Sequence, residues 1–150
     1  KLSLSRFAAG VTVITYKDGN EYGGITVSSF TSLSLNPPLI LFNIDKRNKS
    51  NEIFIKNQNF AVHILSKDQE NISNSFASSK VNKDEFMKSL DYEEKEGVPI
   101  FKGALSTLIC EKETIHDGGD HTIIIGKVLS ASTDETKSPL LYYNRGYHSV

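Results

Sequence analysis

The chain has 150 residues and 16.7 kDa, the length of one domain spanning 1–150, with 17 Lys+Arg against 18 Asp+Glu for a net charge of −1. That balance excludes a nucleic-acid binder that works by neutralising phosphates and offers no field for an anionic membrane, and no apolar run reaches the ~20 residues of a membrane helix. A single cysteine, Cys110, excludes an internal disulfide framework and a multi-thiolate zinc site.

In chain order, Lys1-Leu2-Ser3-Leu4 shows neither an initiator Met nor the apolar core of a signal peptide, and is read as the start of a trimmed, cytoplasmic chain. Residues 11–16 (Val-Thr-Val-Ile-Thr-Tyr) predict a strand, turned by Asp18-Gly19 into a second strand over 24–28. Pro37-Pro38 launches a third strand over 39–44. Ser50 is placed to cap a helix over 51–56, and residues 60–65 predict a fourth strand. Ser66 and Gln69 have capping-box spacing, and Ile72 and Phe76 share the face of the helix that follows. A third helix is expected over 83–90, then strands over 104–110 and 122–128. Many short strands with few helices indicate a β-barrel or sandwich rather than an alternating α/β sheet.

The chain has no Gly-x-Gly-x-x-Gly, no Gly-x-x-x-x-Gly-Lys and no Gly-x-Ser-x-Gly, so a Rossmann turn, a P-loop and a serine-hydrolase elbow are all missing. His116 and His121 are poorly spaced for one metal, and no metal site is expected. What stands out is the run from Gly23 to Pro38, where Ser and Thr alternate with strand-forming residues instead of filling a linker. Small hydroxyl side chains let a flat ligand reach the main chain, whose N–H and C=O groups can read its edge. The competing reading is a hairpin whose hydroxyls only satisfy local backbone groups.

Residues 7–15 (Phe-Ala-Ala-Gly-Val-Thr-Val-Ile-Thr) and 24–39 (Gly-Ile-Thr-Val-Ser-Ser-Phe-Thr-Ser-Leu-Ser-Leu-Asn-Pro-Pro-Leu) resemble the flavin reductase family of FMN-binding split barrels. The match continues through 60–66, Gln69, Phe76-Ala77, Gly97-Val98-Pro99, Gly103-Ala104, Gly119-Asp120-His121, residues 125–128 and Arg145-Gly146-Tyr147. The resemblance implies a six-stranded antiparallel Greek-key split barrel with a few short helices. It also implies a homodimer that uses NADH or NADPH to reduce FMN, with FAD as the alternative, and that supplies a partner monooxygenase. Thr26, Val27, Ser28 and Ser29 would border the isoalloxazine ring, Ser32 and Leu33 the ribityl chain, and Asn43, Asn48 and Ser50 the phosphate. His121 and Tyr147 would meet the NAD(P)H.

Ser50 at a helix start, beside Lys46, Arg47 and Lys49, independently suits a phosphate, although such lysines elsewhere form solvated loops. His121 opens a strand after a turn, where it either faces the site or simply bonds Asp120. His63 is read as structural and Cys110 as a buried small hydrophobe. Tyr143, Arg145 and Tyr147 suit the pyridine nucleotide, a neighbouring subunit or surface packing. Hydride transfer between two cofactors needs no protein nucleophile, so no catalytic residue is assigned. Two other functions stay open: a flavin-binding electron-transfer protein without efficient NAD(P)H oxidation, and a non-catalytic β-barrel interaction domain.

Overall fold

The computed structural model describes residues 1–56 and 59–150. Its strands are β1 (Ala9–Gly10), β2 (Thr12–Asp18), β3 (Glu21–Val27), β4 (Thr31–Leu35), β5 (Pro38–Asp45), β6 (Asn59–Ile64), β7 (Tyr92–Lys95), β8 (Val98–Phe101), β9 (Ser106–Gly118), β10 (His121–Thr133), β11 (Leu140–Tyr143) and β12 (Gly146–Ser149). The helices are α1 (Ser50–Lys56), α2 (Glu70–Ala77) and α3 (Lys83–Ser89). Seven strands form one antiparallel sheet in the order β3-β2-β6-β9-β10-β5-β4, flanked by a small β1-β11-β12 sheet and the β7-β8 hairpin.

The six expected runs are β2, β3, β5, β6, β9 and β10, but the expected count of six strands is corrected. A seventh strand, β4, lies within the Ser/Thr-rich run, and the sheet's two end strands are not hydrogen-bonded to each other. Those end strands, β3 and β4, are consecutive in the chain and joined only by Ser28-Ser29-Phe30. Four Cα steps of 3.8 Å span at most ~15 Å, so the sheet must curl until its ends nearly meet. They fail to close because β4 pairs with β5 only as far as Thr31 opposite Leu41, leaving the end of β5 without a ladder on that side. The result is a split.

Curling buries both faces of the central strands. Ile14 and Val13 are neighbours on β2 and both are fully buried. Ile14 belongs to an inner core where Phe42 and Phe60, and Tyr16 and Phe54, meet edge to face at 5.3 and 4.9 Å. Val13 belongs to an outer core in which Phe76 of α2 and Met87 of α3 cover the sheet. The Gln69 side chain accepts the Ser66 N–H at 3.0 Å as the box spacing predicts, and the Asn82 side chain caps α3 by accepting the Glu85 N–H at 3.0 Å. Close packing requires glycine at several positions, Gly24 and Gly126 among them. A Cβ on Gly24 would lie 2.8 Å from the Phe76 ring, and one on Gly126 would lie 2.5 Å from Phe60.

Candidate active site

The split is a cleft walled by β3, the crossover 28–30, the end of β5 and the start of β10. A cavity of ≈280 Å³ there is lined by Ile25, Thr26, Val27, Ser28, Ser29, Asn43, Ile44, Asp45, Asn48 and His121. A second, ≈330 Å³, shares Ser29, Asn43 and His121 and adds Gly118 and Ile123. A third, ≈540 Å³, shares Ile25 and Asn48 and runs between β3 and α3 past Arg47, Lys49, Ser50, Ser78, Asn82 and Lys83. Six of the nine expected flavin residues and His121 thus line one cavity, and Ser50 lines the one adjoining it.

The outer edge of β3 carries no partner strand, and Ser28-Ser29-Phe30 lies outside any ladder, so main-chain groups face the cleft among small side chains. Two of the hydroxyls have assigned work. Thr26 donates to the Ser73 carbonyl at 2.7 Å. Ser29 donates to the Asn43 carbonyl at 3.0 Å and accepts the Asn43 N–H at 3.1 Å. Ser28 makes no side-chain hydrogen bond among the described residues. Asn43 Oδ1 is buried at the cleft wall without a donor among the described residues, an acceptor that a flavin N–H would satisfy. That orphan, with the open main chain beside it, fits a flat heterocycle whose rim carries both donors and acceptors.

The expected phosphate region is rearranged. Ser50 is the first helical residue rather than a free cap. Its N–H is taken by Asn48 Oδ1 at 2.9 Å and its hydroxyl pairs with the Tyr16 hydroxyl at 2.6 Å. The first N–H of α1 is therefore already taken from within the chain. Lys46 pairs with Asp117, and Arg47 forks onto Asp45 at 2.8 and 3.1 Å, holding that carboxyl well below the usual carboxylate range. Lys49 instead lines the third cavity, where Lys83 joins it from the start of α3. Burial, and then the nearby Lys49, lowers the Lys83 ammonium pKa, while its hydrogen atoms go to the carbonyls of Ser78 and Val81. Lys83 carries no sequence signal beyond its place in a helical stretch; only the packing of α3 on β3 brings it here.

His121 combines its two expected readings. Its Nδ1 bonds the Asp120 carboxylate at 2.7 Å, which lowers the Asp120 pKa, and its ring lines both the first and second cavities. Three expected site residues lie elsewhere. Ser32 and Leu33 are on the edge strand β4, outside the three cavities, with Leu33 48% exposed. Tyr147 packs on the outer core, donating to Asn74 at 3.1 Å and pairing with the Ser73 hydroxyl at 2.6 Å. It reaches the cleft only indirectly, since Ser73 also receives the Thr26 bond. No group of three His, Cys, Asp or Glu side chains among the described residues could hold a metal, and no described helix is long and apolar enough to cross a membrane.

Comparison with known proteins places this geometry. The chain is 40% identical over 131 residues to an FMN reductase (NADH), SmoA, of Agrobacterium fabrum, covering 87% of this chain and 73% of that protein. It is 36% identical to the reductase component of 4-hydroxyphenylacetate 3-monooxygenase of Thermus thermophilus, covering 100% of this chain and 94% of that one. The structure of the NADH:FAD oxidoreductase SgcE6 of Streptomyces globisporus, in complex with NAD and FAD fragments, superposes with a TM-score of 0.91 at 34% identity, over 98% of this chain and 88% of that one. With the model of the flavin reductase like domain matching residues 4–150, the chain belongs to that family.

Proposed function

We propose that the chain is an NAD(P)H-dependent flavin reductase, an oxidoreductase whose flavin ring lies in the split between β3 and β5. The observation that carries this reading is the cleft itself: unpaired main chain, small hydroxyl side chains and the orphaned Asn43 acceptor converge where relatives named as flavin reductases share the fold. Thr26, Val27, Ser28 and Ser29 border the ring, Asn43 receives one of its N–H groups, and His121 stands at the lip on the side of the second cavity. Bound flavin supplies the redox chemistry by accepting a hydride from the nicotinamide. The chain's own residues bind and orient: crossover N–H groups stabilise negative charge at the ring edge, and Asp120 fixes which His121 nitrogen faces the cleft.

FMN is the preferred flavin, its phosphate directed toward Lys49 and Lys83 in the third cavity, with Asn48 and Ser50 along the way. Lys83→Ala should weaken FMN binding about tenfold while leaving riboflavin, which lacks the phosphate, nearly unchanged. Equal loss for both would move the phosphate elsewhere. NADH is the preferred reductant, in line with the relatives named as NADH-dependent. Reduced flavin passes to a monooxygenase partner, as the names of the relatives suggest. Exposed Leu33 and Leu35 on β4 suit burial in a homodimer, which sedimentation equilibrium would detect. A cytoplasmic setting supplies NADH and keeps Cys110 reduced.

The decisive experiment is the absorption spectrum of the protein with FMN before and after anaerobic NADH. A flavin band that bleaches at a catalytic rate supports the reductase. A band that stays is the electron-transfer protein, and flavin fluorescence unaltered by the protein is the interaction domain.

A further inference from the structure

The ladder between β4 and β5 sets a register, Thr31 opposite Leu41, that brings residue 29 opposite Asn43. A continuing strand would there present a main-chain N–H and C=O. Instead the chain has begun to cross toward β3, and the Ser29 hydroxyl takes both roles, accepting the Asn43 N–H at 3.1 Å and donating to its carbonyl at 3.0 Å. The hydroxyl has a single proton to donate, and β5 takes it together with one of the two lone pairs.

We propose that Ser29 is a positioning residue, a latch that props the crossover main chain at a fixed stand-off from β5, and not a hydroxyl that donates to the flavin. Two side-chain atoms, Cβ and Oγ of Ser29, stand between the two backbones where a ladder would bring them within ~5 Å. The latch therefore sets the cleft width, holds open the main chain of 28–30, and anchors Asn43 so that its unpartnered Oδ1 stays at the cleft wall. Alanine at 29 would strand the Asn43 N–H and carbonyl and let the crossover drift. The inference rests on the flavin reading above.

The test begins without flavin. In the wild-type protein the Asn43 amide should exchange its hydrogen slowly, although β5 has no strand partner on that side; exchange at the rate of an open loop overturns the latch. In Ser29→Ala the Asn43 protection should be lost while the amides of β2 and β6 keep theirs. The FMN Kd should rise about tenfold, and KM for flavin should rise more than kcat falls. Ser29→Thr, which keeps the hydroxyl, should restore both readouts. Unchanged FMN affinity in Ser29→Ala, with wild type binding normally, overturns the proposal alone. A wild-type protein that binds no flavin overturns the parent reading instead.

Discussion

His63 shows how one side chain serves the fold and not the site. It is fully buried, with Nδ1 on the Val13 carbonyl at 3.1 Å and Nε2 accepting the Phe101 N–H at 3.3 Å, and its ring stacks on Phe101 at 3.9 Å. Accepting the Phe101 N–H requires an unprotonated Nε2 and so the neutral ring, and burial pushes its pKa down to about 4 from 6.5. The unfolded chain therefore takes up this proton near pH 6.5 and the folded chain only near 4. The stability His63 contributes is complete above pH 6.5 and falls by about 3 kcal/mol on acidification through that window. Urea midpoints at pH 7 and pH 5 should show this slope, and His63→Asn should flatten it. Cys110 makes the complementary case, since burial drives its thiol up to about 12. It should resist a disulfide reagent in the native state and react stoichiometrically in urea; fast native labelling would contradict its burial. Both roles were legible from the sequence, because an isolated His or Cys in an apolar strand has a strong default fate. Lys83 was not, since its meaning comes entirely from what α3 packs against.

Among the elements, the strands read most accurately were those whose apolar content is continuous. Residues 11–16 and 60–65 are buried on both faces, so they read as strands without any alternation to find. β4 escaped because Thr-Ser-Leu-Ser-Leu is an exposed edge whose hydroxyls resemble a loop as much as a strand. The hairpin of β9 and β10 runs further than its apolar halves suggested: Glu111 and Glu113 are exposed, Lys112 is half-buried and donates to the Ile55 carbonyl, and the ladder continues past a bulge at Glu113. Gly126 ties this hairpin to the inner core, because Phe60 occupies the space a side chain would need. Gly126→Ala should cost about 1–3 kcal/mol in denaturant unfolding. A neutral result would mean that Phe60 can swing aside, which its place among Phe42 and Phe54 opposes.

At the scale of the molecule, the site is a product of incomplete closure. The two end strands are bound together by a three-residue crossover, and the cleft is the space between them that the ladder does not fill. A ligand seated there bridges β3 to β5, so it should stabilise the whole sheet and not one loop. At a concentration of FMN one hundred times its Kd, mass action adds about 2.7 kcal/mol, a rise in Tm of roughly 5–10 °C for a chain of this size. Riboflavin at the same multiple of its own Kd should give the same rise, which a thermal melt checks directly. Absence of any shift would place the flavin off this cleft or off the protein.

The strands, the turns, the missing nucleotide and hydrolase motifs, the buried cysteine and the family resemblance were all present in the linear order of residues. They follow from local propensity, from hydrophobic patterning and from a Ser/Thr run too regular for a linker. Only the folded chain decided that a seventh strand, β4, joins the sheet, that Ser29 spends its proton on Asn43, that Asn48 and Tyr16 bond Ser50, and that Tyr147 bonds Asn74 and Ser73. Each of these depends on which groups meet across tens of residues, and spacing along the chain does not encode hydrogen bonds between segments that become neighbours only when the sheet curls.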